Sequence, residues 1–173
     1  MDQQLTTGKA ALIYGGLLGA CTLVFSLMLY FLDMHYQQST MQTVVSIGLM
    51  IGFTVWGMVA FRQSNDGYIS LSEALKVGMG VSLISGIIGI ATSLLVTEVL
   101  DPTTMDKAMD LAFEKVRIDN PELTEEQISA SREMQERFST PVIRSTFIII
   151  WTLFIGFIIS LIAGLVVKKS QPE

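Results

Sequence analysis

Four stretches of this chain, residues 10–32, 44–61, 77–96 and 145–167, contain no Asp, Glu, Lys or Arg. About 20 apolar residues of helix cross a hydrocarbon core roughly 30 Å thick. Each stretch is long enough to do so, the second only near the lower limit. The whole chain is 16% charged with a mean hydropathy of +0.53, against about 25% charge in average soluble proteins. These numbers exclude an ordinary water-soluble domain. The first run is too long for a signal peptide and no small-x-small cleavage site follows it, so it reads as a membrane span.

Small residues recur every four positions in every span. Ala11, Gly15 and Gly19 do so in the first, and Gly48 and Gly52 in the second. Ser82 with Gly86 and Ser85 with Gly89 follow in the third, and Gly156, Ser160 and Gly164 in the fourth. Lipid supplies no hydrophobic force between helices, so faces that let backbones approach carry the packing. A tight four-helix bundle is expected, within one chain or between chains.

Between spans two and three lies RQSNDGYISLSEALKVG, residues 62–78. Asn65-Asp66-Gly67 is a turn signal. Ser70 and Glu73 form a capping box, so a helix starts near Leu71. Gly67, Ile69 and Glu73 also match three positions of a calcium-binding loop. In that register Arg62 holds the first ligand position, and a cation there repels the metal. The stretch reads as a turn and a helix cap.

Residues 101–140 form the only segment with a water-soluble character. Its ten acidic and five basic residues give it a charge of −5, equal to that of the whole chain. Asp101-Pro102 reads as an N-cap with proline at the first helical position. Met105, Ala108, Met109, Ala112, Phe113 and Val116 make one helical stripe, which Asn120-Pro121 breaks. Thr124 to Gln127 is a second capping box. Leu123, Ala130, Met134 and Phe138 make a second stripe. Two amphipathic helices in an αα-hairpin are expected. Leu111, Ile118 and Ile128 fall outside the stripes and are the candidates for partner contact. Glu98 and Arg144 flank this insert at one membrane surface and are a candidate ion pair.

The fold class expected is therefore all-α: an integral membrane four-helix bundle, one domain over 1–173, with an extramembrane amphipathic hairpin between spans three and four. Both termini fall on one side. Lys168, Lys169 and Arg62 sit directly at span ends, which favours cytoplasmic termini.

The residues supply no chemistry. Cys21, the only cysteine, lies in an apolar run and reads as a small hydrophobe. His35, the only histidine, has only Asp33 near it in sequence, too little for a metal. No catalytic residue, cofactor or metal is expected, and the acidic balance disfavours nucleic acid. Expected partners are the lipid bilayer and a protein partner or second copy bound through the insert. A non-enzymatic interaction or structural module is the first reading. A small transporter or channel component acting as an oligomer is the alternative, although the span interiors lack the ionisable groups that transport sites usually carry.

The order of features resembles a bacterial membrane-protein family, domain of unknown function 4199. The resemblance rests on Asp66-Gly67-Tyr68-Ile69-Ser70 with Glu73-Ala74 following, and on Asp101-Pro102 after the third run. It covers nearly the whole chain. It implies four spans and a bacterial origin, hence the inner membrane, and brings no activity, substrate or site residue.

Overall fold

The computed structural model describes residues 5–37 and 39–169. Four helices are long and apolar enough to cross a membrane: α1 (Thr7–Phe31), α2 (Thr40–Ser64), α3 (Leu71–Leu94) and α6 (Pro141–Val167). The insert supplies α4 (Thr104–Asp119) and α5 (Glu125–Phe138). The protein is all-α, an integral membrane four-helix bundle with a helical hairpin between its third and fourth spans.

The helices begin where their caps dictate. Ser70 accepts from the Glu73 N–H while the Glu73 carboxylate accepts from the Ser70 N–H at 2.8 Å. Thr124 and Gln127 do the same at α5. Most spans run past their apolar stretches: α2 reaches from Thr40 to Ser64, with Ser39 capping it five residues ahead of the uncharged run. The third span ends differently from expectation. After Leu94 it widens into a π-helical turn, Leu95–Leu100.

The expected N-cap at Asp101 is corrected. The Asp101 carboxylate accepts from the Thr103 N–H at 3.0 Å and the Thr103 hydroxyl at 2.6 Å, a local turn, and α4 starts only at Thr104. An Asp that bonds its own backbone two residues on makes a turn in place of a cap.

α3 is the central helix, packed chiefly on α1 and α6. Its contact with α6 is reciprocal. A Cβ on Gly78 would overlap the Ser160 side chain, and a Cβ on Gly156 would overlap the Ser82 side chain. Each helix thus offers a glycine notch to the other's serine. α1 meets α3 likewise: a Cβ on Gly15 would lie 2.8 Å from the Ile84 Cβ, and one on Gly80 would crowd Ala11. The Gly48–Gly52 pair of α2 is different. A Cβ at either position would meet nothing within 4 Å. That face is left open by the chain's own helices.

The loop between α2 and α3 ties the two ends of the chain together. Ile69 and Lys169 exchange both backbone hydrogen bonds, at 3.0 and 2.9 Å. Arg62 donates to the Gly67 carbonyl at 3.0 Å and the Val167 carbonyl at 3.4 Å. The Leu5 N–H donates to Ser64 at 2.7 Å. Gly67 takes φ +81, the left-handed conformation that a turn here requires and that glycine adopts without strain.

In the hairpin, Met109, Phe113 and Ile128 are buried together. Ile128 is therefore corrected: it is 6% exposed, inside the hairpin and not outside it. The expected stripe on α5 is corrected with it, since Met134 and Phe138 are 63% and 60% exposed. Arg132 meets Asp110 at 2.8 Å and Arg117 meets Glu125 at 2.6 Å across the helices. These bridges and Ile128 turn α5 so that the Met134–Phe138 face points away from α4.

Candidate functional site: the polar cluster at His35

The loop after α1 turns back sharply. Asp33 takes φ +55 and the Met34 N–H bonds to the Leu29 carbonyl at 2.9 Å. This turn directs His35 under the start of the insert. Its imidazole side chain is only 4% exposed. Nε2 lies 3.0 Å from the Asp101 carboxylate, and the ring lies 5.2 Å from both Tyr30 and Tyr36. Lys107 reaches the same Asp101 oxygen at 2.9 Å and sits 5.4 Å above the Tyr36 ring.

Asp101 is held well below the usual carboxylate range, first by the Thr103 hydroxyl, then by Lys107, with His35 adding to both against a desolvation penalty. Lys107 is correspondingly raised by Asp101. An ionised carboxylate only accepts hydrogen bonds. The proton in the His35–Asp101 bond therefore sits on Nε2. Nδ1 is buried and has no hydrogen-bond partner among the described residues.

A cavity of about 200 Å³ beside His35 is lined mostly by hydroxyl-bearing residues, Thr22 and Ser26 from α1, Thr92 and Ser93 from α3, Thr97 and Thr104 beyond it. A larger groove of about 530 Å³ between α1, α2 and α6 shares Thr22 and Ser26 and adds Gln42, Ser46 and Trp151. The wall of the larger groove is mostly apolar in area.

The candidate ion pair lies beside this cavity. Arg144 donates to Glu98 and to the Thr97 hydroxyl, both at 2.7 Å. The π-helical turn that carries Thr97 and Glu98 adds a residue per turn, a device frequent at functional sites. Of the candidate partner contacts, Leu111 is 41% and Ile118 72% exposed, while Ile128 is enclosed.

Sequence reasoning missed the pairing of His35 with Asp101. Asp101 had a sufficient local role as a cap, and His35 had only Asp33 near it in sequence. The usable signal was topological: with one span per crossing, the loop after span one and the end of span three fall on the same side.

The model of a protein family described as Protein of unknown function (DUF4199) matches residues 13–169, and the chain belongs to that family. No curated protein and no solved structure matches the chain.

Proposed function

We propose that this member of the family is a non-enzymatic membrane module that binds a protein partner through the hairpin of α4 and α5. The observation that carries this reading is the division of labour in the insert. Its polar groups are spent on holding it in place, through Asp101 to His35 and Lys107, and through Arg132 and Arg117 between the helices. Its large apolar side chains are not: Ile118, Met134 and Phe138 are 72%, 63% and 60% exposed. A firmly held hairpin with apolar side chains outward is a binding surface in form. The reading includes a bacterial inner-membrane location with cytoplasmic termini, supported by Arg62, Lys168 and Lys169 at span ends.

The test is crosslinked co-purification from native membranes with Ile118→Asp and Met134→Asp combined. Loss of the co-purifying protein at unchanged expression is expected. Retention of every species would remove the hairpin as the binding surface.

A second reading, a transporter or channel component acting as an oligomer, is favoured by the groove between α1, α2 and α6, where Gln42, Ser46 and Thr152 interrupt a mostly apolar wall. Solute flux in proteoliposomes that fails when Ser46→Leu narrows this groove would favour it over the first.

A further inference from the structure

The bundle is packed tightly at one end only. The buried residues of α1 all fall at or before Gly19, those of α2 at or after Thr54, and those of α6 at or after Gly156. α1 runs toward the insert side of the bundle, whereas α2 and α6 run away from it. All three sets therefore lie in the half away from the insert. α3 alone stays buried into the other half, as far as Thr92. There the groove between residues 22–29 of α1, 39–50 of α2 and 151–155 of α6 takes the place of helix contacts. From Ser39 to Met50 it follows α2 for about 16 Å at 1.5 Å per residue, about half of a hydrocarbon core roughly 30 Å thick. Its rim faces outward, with Ile47 40% and Trp151 64% exposed. An empty groove forfeits the dispersion contacts of its walls, and helices in a bilayer are held by such contacts. What reaches this groove from the side is lipid.

At its outer end the groove meets a second cavity. Ser39, the N-cap of α2, lines both. The second cavity, of about 450 Å³, lies between Tyr36 and Gln37 of the loop and the Ala108, Ala112, Lys115 and Asp119 face of α4. Asp101, through His35 and Lys107, holds α4 over that loop. Four of the insert's five basic residues, Lys107, Arg117, Arg132 and Arg137, stand in ion pairs. Lys115 has no ion pair among the described residues, and neither has Asp119, one helical turn further on. A mostly apolar groove at bilayer depth is thus joined at Ser39 to a cavity that carries one uncommitted cation and one uncommitted anion.

We infer that the two cavities together hold one zwitterionic phospholipid, with an acyl chain in the groove between α1, α2 and α6, its phosphate at Lys115 and its headgroup cation at Asp119. Lysine binds phosphate as a point charge. Side chains four apart on a helix have Cβ atoms about 5–6 Å apart, so both charges of one headgroup are within reach. The inference does not rest on partner binding by the hairpin, whose exposed Ile118, Met134 and Phe138 line neither cavity.

Trp151 lines the groove, and Trp56 is the other of the chain's two tryptophans. In a Trp56→Phe background, fluorescence therefore reports the groove. The full chain is stripped of lipid in a maltoside detergent and titrated with phosphatidylcholine brominated on its acyl chains. Quenching of Trp151 should saturate at a single lipid per chain. Unbrominated phosphatidylcholine should reverse it. Phosphatidylglycerol, whose headgroup lacks the cation, should compete less well, and diacylglycerol, which lacks the phosphate as well, least. Lys115→Gln should weaken binding about fivefold, the scale of one exposed charged contact. Ser46→Leu, which fills the groove, should abolish saturation. Quenching that only rises in proportion to added lipid overturns the proposal, as does competition by phosphatidylglycerol or diacylglycerol equal to that of phosphatidylcholine. So does undiminished affinity in either variant. A Trp151 that stays unquenched overturns it too, and in a dimeric preparation that result places a second copy in the groove.

Discussion

His35 and Asp101 meet at 3.0 Å across 66 residues of chain. Their contact joins the loop after the first span to the root of the insert, and Lys107 closes it from the α4 side at 2.9 Å. It is the point where the hairpin is fastened to the bundle. Replacing His35 by alanine removes one partner of Asp101 and leaves it Thr103 and Lys107. Amide exchange across 104–119 should accelerate while exchange in α3 stays unchanged. Uniform acceleration through the whole protein would instead make His35 a part of the bundle's core.

The Asp101 carboxylate, held chiefly by the Thr103 hydroxyl and then by Lys107 and His35, also sets a pH dependence. Asp101 titrates below its ordinary range in the folded protein. The stability it contributes is thus fully present above the unfolded carboxylate value, about 4, and is lost as pH falls through the lower folded value. Protection of α4 in Asp101→Asn should fall short of wild type at about pH 6. The two should converge as the medium is made strongly acid. A difference that persists undiminished below about pH 2 would show that Asp101 acts by shape and not by charge.

The glycines of α3 and α2 make opposite predictions. Gly78 is filled by the Ser160 side chain, whereas Gly52 has open space. Gly78→Leu should destabilise the bundle by roughly 1–3 kcal/mol or more, the cost of overpacking, read as a lowered midpoint of thermal unfolding in mild detergent. Gly52→Leu should leave that midpoint within about 0.5 kcal/mol of wild type, as an unpacked site does. A large loss at Gly52 in a monomeric preparation would contradict the packing described above.

Arg62 makes the loop between α2 and α3 a clasp. Its guanidinium is bonded to the carbonyls of Gly67 and Val167. Calorimetry should therefore find no calcium uptake at micromolar concentration. Arg62→Ala should loosen the segment at Lys169, seen as faster amide exchange at Ile69 and Lys169. Saturable calcium uptake abolished by Glu73→Gln would reverse this view.

Much of this architecture was legible because it is written in local patterns. The uncharged runs announce the spans, and Ser70–Glu73 and Thr124–Gln127 place two helix starts where the structure has them. The serine and glycine spacing picked out Ser82, Gly156 and Ser160 of the α3–α6 contact but not Gly78. What escaped was set by long-range partners. On α5 two faces were available, the broader one holding Met134 and Phe138 and the narrower one only Ile128. The bridges of Arg132 to Asp110 and Arg117 to Glu125 accompany the narrower face inward, and nothing within α5 itself ranks the two. Asp101 reads as a cap from its neighbours alone, and its true partners lie in another loop. The open Gly48–Gly52 face looks in sequence just like the filled ones, because spacing does not say which face meets a helix.

The most direct test of the account is the side of the membrane on which its parts lie. In a Cys21→Ser background, single cysteines are introduced by Gln37→Cys, Asn65→Cys and Asn120→Cys and labelled with a membrane-impermeant maleimide, before and after permeabilisation of intact cells. The account predicts that positions 37 and 120 label together from outside and that position 65 labels only after permeabilisation. Labelling of positions 65 and 120 from the same side would contradict the four-span arrangement and, with it, the fastening of the hairpin by His35.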